Sequence, residues 1–315
     1  MLSVIIVNWN SKDYVRQCLK SLFSTCSGLA PQIIVVDGAS FDGCGDMISA
    51  QFPSVEFIQN SRNSGFGSSN NLGFHEVRNE MVLFLNPDTE LRPGAVSQLI
   101  SELHNLPEAG VLGARLVNSD ASLQESCVQN LPNPWNQFLD SALLRTIWPN
   151  ARLWGTKDAF ASSVPVEVEA VSGACMLMHA ETFRRVGGFS PQYFMYGEDM
   201  DLCAKVRRLG LKIYHVPGAK VVHHGAGCSQ QLSGSAAVLM RTSVHQFIRE
   251  HQGTFAASTY RVLMAVSSVS RLVLLAPACV LSRSAKRALR LRSLKKWMGV
   301  LQWSVGFEAP GVARS

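Results

Sequence analysis

Four short apolar runs set the rhythm of the first third of the chain. SVIIV (3–7), QIIVVD (32–37), VEFIQN (55–60) and MVLFLN (81–86) are rich in aliphatic and aromatic residues and bounded by Asn, Asp, Gly and Ser, the pattern of buried strands. After Ser11, an expected N-cap, Tyr14, Val15, Cys18, Leu19, Leu22 and Phe23 recur at helical spacing. SRNSGFGSSNNLGFHEVRN (61–79) is rich in Gly and Asn at first and helix-compatible after Ser68. GAVSQLISELHN (94–105) reads as a helix and AGVLGARLV (109–117) as a strand. Strands alternating with helices predict βαβ units and a mainly parallel sheet.

The pattern loosens over 118–165, where four prolines and the aromatics Trp135, Phe138, Trp148 and Trp154 fit either a lid or a packed surface excursion. Alternation in VEVEAV (166–171) and the run Ala174–Met178 predict strands again. Gly197-Glu198-Asp199-Met200-Asp201 opens a helix with Leu202, Val206 and Leu209 on its apolar face. KIYHVP (212–217) and KVVHHGAG (220–227) return to strand and turn.

Charge divides the chain differently. The net +6 conceals ten Lys/Arg against one acid, Glu308, over residues 252–315, while residues 1–251 hold 19 Lys/Arg against 22 acids. A mildly acidic body over 1–250 with a +9 tail predicts a basic helical segment over 251–315 that meets an anionic surface, membrane or nucleic acid. In 283–303, Ala285, Ala288, Leu291, Leu294, Trp297, Met298 and Leu301 recur near helical spacing among seven Lys/Arg, as in an interfacial amphipathic helix. The segment 262–281 is nearly long enough to span a bilayer, but Arg271, Pro277 and its serines favour an interfacial or packed position. The apolar face with Trp297 points to lipid rather than nucleic acid, and a solvated basic helix is the plainer alternative. The opening MLSVIIVNWN has no basic lead and too short an apolar run for a signal peptide. The eight Cys show no CxxC pair or zinc spacing, so reduced cytosolic thiols are expected.

Candidate chemistry collects where strands end. Asn8 closes the first run, Asp37 the second, and the fourth stops at Asn86-Pro87-Asp88. Each alone is an ordinary turn or cap residue. On successive strands of a parallel sheet, however, they converge on the edge where ligands bind. The acids at 198, 199 and 201 suit a helix start and its dipole, which favours the ionised form of Asp199.

In order, VIIVNWN, VVDGAS, RNSGFGSSNNLG, LFLNPD, SGACMLMHAETFRRVGGFSPQYFMYGEDMDLCAKVRRLG and HHGAGCS resemble the inverting family-2 glycosyltransferases of GT-A fold, closest to their bacterial rhamnosyltransferase-like branch. The resemblance covers about residues 1–250. It implies a nucleotide-sugar donor, dTDP-rhamnose first and a UDP-hexose as the nearest variant, and a lipid-linked or growing glycan acceptor at the inner face of the cell membrane. It assigns Val7, Asn8 and Asp37 to the nucleobase, and Asn63, Gly65, Phe66 and Asn70 to the donor loop. Asn86 stands where many relatives carry an acid. Asp88 and His224 are assigned to Mg2+ or Mn2+ on the diphosphate, with His223 expected on the opposite face. Asp199 matches the base that deprotonates the acceptor, and Glu198 its orienting neighbour. A nucleotidyltransferase would need a basic Gly-rich loop after the first strand, which Asn8-Trp9-Asn10-Ser11 lacks. A non-catalytic glycan- or membrane-binding protein would have lost these acids.

Overall fold

A computed structural model of the chain describes residues 1–26, 28–140, 144, 147, 151, 157–225, 236–280 and 284–307. The expected turn residues 226–229 and the aromatics Trp148 and Trp154 lie outside these. Two compact units emerge: Met1–Leu131 with Gly155–Gln230, and Pro132–Trp154 with Gln231–Ser315.

The first unit is built on one nine-stranded sheet. β1 (Leu2–Asn8) alternates with helix α1 (Lys12–Thr25), β2 (Gln32–Asp37), α2 (Cys44–Gln51), β3 (Glu56–Gln59), α3 (Phe66–Phe74) and β4 (Met81–Leu85). These four strands pair in parallel, in the order β3-β2-β1-β4. β1 and β4 are buried along their whole length, which is why their sequences read as continuous apolar runs rather than alternations. Then follow β5 (Thr89–Leu91), α4 (Ala95–Asn105), β6 (Ala109–Val117), a one-turn helix at Glu125–Cys127 and β7 (Val128–Gln129).

Beyond β4 the sheet becomes mixed. β10 (Cys175–His179) inserts antiparallel between β4 and β6. β11 (Lys212–His223) runs parallel to β6 and antiparallel to β5 and to β8 (Val166–Val168). The pair of strands expected over 212–227 is thus one strand ending at His223. Its register with β6 breaks between Val216 and Lys220, where Pro217 has no N–H to give the ladder. A small ribbon pairs β7 with β9 (Ala170–Val171).

Helix α3 lies close on β1 and β2. A Cβ on Gly73 would stand 2.9 Å from both Ile5 and Val36 side chains, so the glycine sets the approach of this helix to the strands. Helices α7 (Ala180–Arg185) and α8 (Glu198–Arg208) complete this unit, with the short α6 (Lys157–Ala161) preceding β8.

The second unit is helical: α5 (Pro134–Leu139), α9 (Ala236–Gln252), α10 (Thr254–Val280) and α11 (Ser284–Ser304). The boundary expected at 250/251 therefore moves. It would cut the end of α9, whose Val238, Val244, Phe247 and Ile248 are buried and which packs on α10 and α11. Residues 132–154 join this unit too, because α5 packs on α10.

Candidate active site

The parallel strands end side by side, and their last residues bond to one another. Asn8, Asp37 and Gln59 are register partners across β1, β2 and β3. Asp37 is 1% exposed. Its Oδ2 accepts from Asn8 Nδ2 at 2.7 Å, and its Oδ1 accepts from Ser40 N at 2.7 Å and Gln59 Nε2 at 2.8 Å. Ser40 closes the VVDGAS motif, whereas nothing in the sequence marked Gln59 as a partner of Asp37. Val7 is buried beside them. Ser11 does not cap α1 with its side chain. Its hydroxyl donates to Asn8 Oδ1 at 3.0 Å, while Asp42 Oδ2 accepts from Lys12 N at 2.8 Å, so the helix start is capped from a distant loop. Asp37, Asp42 and Cys44 offer ligand atoms close together. Backbone and side-chain N–H groups already occupy those carboxylates, and burial pushes the Cys44 thiol up to about 12, so the cluster holds its own loop together.

The donor-loop residues form the N-terminal end of α3. Asn63 Oδ1 accepts from Gly65 N at 3.0 Å. Gly65 has φ +83, and a Cβ there would lie 2.1 Å from Phe194 O; no other residue fits. Phe66 N donates to that same carbonyl at 3.2 Å. Asn71, which the sequence did not single out, clamps Phe189 by both backbone groups, accepting from its N–H at 2.9 Å and donating to its O at 2.8 Å. Asn70 is buried, donates to Phe66 O, and leaves its Oδ1 without a partner.

At the tip of β4, Asn86 N donates to Ala174 O at 2.9 Å, tying the Asn-Pro-Asp turn to the start of β10. Asp88 is buried. The imidazole facing it is that of His223, not His224. His223 Nε2 lies 3.3 Å from Asp88 Oδ1 and 3.3 Å from Asn86 Nδ2, and its Nδ1 is 2.6 Å from Gln124 Oε1. The Gln124 oxygen can only accept, so Nδ1 carries a proton. Nε2 then faces the Asp88 carboxylate with the Asn86 amide beside it, an imidazole nitrogen and a carboxylate oxygen 3.3 Å apart. His224 is committed elsewhere, with Nε2 2.9 Å from Glu90 Oε1 and Nδ1 2.8 Å from Ser119 Oγ. The expectation corrected here is that for His223, placed on the opposite face and found beside Asp88. β11 ends at His223, in register with Thr89 of β5, and strand alternation turns that residue inward while the next one faces out.

Gly197, at φ +88, precedes α8, and Tyr196 before it also has a positive φ, +69. Asn10 and Ala39, at the tips of β1 and β2, share this strained conformation, which gathers at functional sites. Asp199 is half-buried. Its Oδ2 accepts from Gln129 Nε2 at 3.0 Å and Gly173 N at 3.2 Å, and its Oδ1 from Met200 N at 2.8 Å. Burial raises its pKa above the ordinary Asp value even against these hydrogen bonds, so the expected lowering by the helix dipole is outweighed. Glu198 is more deeply buried. Desolvation first, and the neighbouring Asp199 second, push it up to about 8, and its Oε2 has no partner. Both adjacent acids are thus raised by burial, and Glu198 carries the added repulsion of its neighbour. Asp201 is structural: Oδ2 accepts from Ser190 Oγ at 2.6 Å and pairs with Lys205 Nζ at 3.3 Å.

Gly173 joins these corners. It bonds Asp199, neighbours the Ala174 that holds Asn86, and a Cβ on it would stand 3.2 Å from the Phe66 ring. Base candidate, donor loop and Asn-Pro-Asp turn therefore meet at the strand tips of one sheet. The Glycosyl transferase family 2 model matches residues 3–157, and the model for the N-terminal domain of galactosyltransferase matches 158–225. The chain is a glycosyltransferase of family 2, with the GT-A fold and a rhamnosyltransferase-like sequence.

Among its relatives is the N-acetylglucosaminyl-diphospho-decaprenol L-rhamnosyltransferase of Mycobacterium tuberculosis, 27% identical over 92% of this chain and 97% of that protein. Rhamnosyltransferase WbbL of Escherichia coli is 26% identical over 71% of this chain and 83% of its own length. A mannosyltransferase, PcManGT from Pyrobaculum calidifontis in complex with GDP-Man and Mn2+, superposes with a TM-score of 0.56 at 14% identity, over 96% of this chain and 86% of that one.

Proposed function

We propose that the enzyme transfers rhamnose from dTDP-rhamnose, with inversion, onto a lipid-linked or growing surface glycan, working peripherally at the cytosolic face of an anionic membrane. The observation carrying this is Asp199: a carboxylate aimed by Gln129 and Gly173, mostly buried, next to the donor loop. In the reaction the acceptor hydroxyl attacks the anomeric carbon, the bond from that carbon to the diphosphate oxygen breaks with dTDP leaving on the opposite face, and Asp199 takes the hydroxyl proton. Burial raises the basicity of Asp199, and its hydrogen bonds oppose that rise and fix the carboxylate in place. Glu198, held protonated beside it, adds no second charge to compete for that proton. The chain can hold donor and acceptor in line, which supplies much of the acceleration.

A divalent ion, Mg2+ or Mn2+, fits the pairing of Asp88 Oδ1 with His223 Nε2, an oxygen and an imidazole donor that leave the rest of the shell to the diphosphate and water. Such an ion would offset charge growing on the diphosphate. Asp37 would meet the nucleobase through the remaining lone pair of Oδ2, accepting an N3–H. Thymine and uracil both present that group, which keeps a UDP-hexose as the second reading.

Turnover of a panel of nucleotide-sugars with a polyprenyl-diphosphate-linked GlcNAc acceptor tests the proposal. Transfer from dTDP-rhamnose is expected. Asp199→Asn should lower kcat by roughly 10^2–10^4-fold with donor affinity unchanged by calorimetry. No transfer from any donor refutes the reading, and full activity of Asp199→Asn refutes the base.

A further inference from the structure

In the helical unit the uncharged face of α10 stands out. Phe255 (85% exposed), Val262 (62%), Val266 (52%), Val269 (48%) and Val273 (65%) are all open. At 100° per residue they fall within about 40° of one line, over roughly 27 Å of helix. The exposed residues between and beside them are Ser258, Ser270 and Leu274. A soluble surface seldom leaves so continuous an apolar stripe bare.

Both cations of α10 are turned inward. Arg261 donates to Trp303 O at 2.7 Å, and Arg271 lies 4.0 Å over the Trp297 ring and donates to Asp140 O. Tyr260, Met264, Ser267 and Ser268 are buried on the packed side. α10 is long and apolar enough to cross a membrane by length and composition. Its protein-packed side with two arginines instead suits a helix lying in the interface plane, wetted by lipid on one side only.

α11 packs antiparallel along α10, with Arg261 reaching Ser304 O and Arg271 stacking on Trp297. Its role differs from the one its spacing suggests. Trp297 and Val300 are buried inside, while exposed Leu289, Leu291 and Met298 alternate with exposed Arg287, Arg292, Lys295 and Lys296. Residues 254–307 contain no Asp or Glu.

We infer that the Phe255–Val273 face of α10 is the membrane-inserting element, lying flat in a bilayer surface whose anionic headgroups are met by the cations of α11. The inference deepens the proposed membrane location by naming the surface that enters lipid. The valines at 262, 266, 269 and 273 also follow the 4-3-4 spacing of a helix seam, so a second copy is the rival occupant. Two acid-free, strongly basic α10–α11 pairs would then face each other, which favours lipid.

The test is flotation of the full-length protein with phosphatidylcholine vesicles, with and without phosphatidylglycerol. Wild type is expected to float with the mixed vesicles. Val262→Asp/Val269→Asp should lose at least about tenfold of that partition, while donor binding to the other unit stays unchanged, so failure here is separate from failure of the transferase reading. Retained flotation of this variant overturns the inference. So does a wild-type dimer that the variant dissolves without loss of vesicle binding. Should the double variant fold poorly, Val269→Cys carrying an environment-sensitive fluorophore replaces it: a blue shift on vesicles is expected, and none overturns the inference.

Discussion

At the residue scale, two neighbouring pairs have been sorted into different roles. His223 and His224 differ by one position, yet the first faces Asp88 and the second Glu90. His223→Ala should weaken Mn2+ binding by about 10–100-fold when measured by titration calorimetry with the nucleotide diphosphate present. His224→Ala should leave it nearly unchanged; the reverse order would restore the original assignment. Glu198 and Asp199 differ by burial. Glu198 is raised from its ordinary 4.5 to about 8, so between those pH values the folded protein holds a proton that the unfolded chain has released. Stability from this group therefore falls as pH rises through that window, by at most about 1.4 kcal/mol per unit, and levels off above it. Glu198→Gln cannot ionise. Urea denaturation of the first unit should show the Gln variant gaining on wild type from pH 5 to 8, and parallel pH profiles would show that Glu198 titrates normally.

At the element scale, the donor loop depends on backbone contact rather than side-chain chemistry. Gly65 is in van der Waals conflict with any Cβ, through Phe194 O, and adopts φ +83. Gly94 has nearly the same φ, +81, but open space around it. Gly65→Ala should cost about 1–3 kcal/mol and reduce donor affinity, since α3 must shift. Gly94→Ala should cost only the conformational part and leave donor affinity intact. Thermal melts together with nucleotide calorimetry separate the two; equal effects would mean the Phe194 contact does not govern the loop.

At the scale of the whole molecule, the proposed membrane contact would divide between charge and apolar surface. The cations of α11 act through a Debye length of about 10 Å at 0.1 M salt and 3 Å at 1 M. Each contributes on the order of 1 kcal/mol near an anionic surface. Raising NaCl across that range should weaken wild-type binding to phosphatidylglycerol-containing vesicles by about tenfold or more. A residue of binding, matching that to neutral vesicles, should survive through the α10 stripe. Complete release at high salt would assign the whole interaction to charge.

The sequence determined the strands, because a strand buried on both faces must be apolar throughout: SVIIV, QIIVVD and MVLFL emerge as β1, β2 and β4. It also determined which polar residues follow those strands, since the chain itself places Asn8, Asp37 and Asp88 at their tips. Tertiary structure alone decided which side chains meet. Gln59, Gln124, Gln129 and Gly173 show no pattern along the chain, and become partners of Asp37, His223 and Asp199 only through strand register and loop return. The inward histidine follows from where β11 ends, and the free face of α10 from which helices cover its other side. Local pattern encodes what a residue must hide from water; only the packed sheet and helices determine what it hides against.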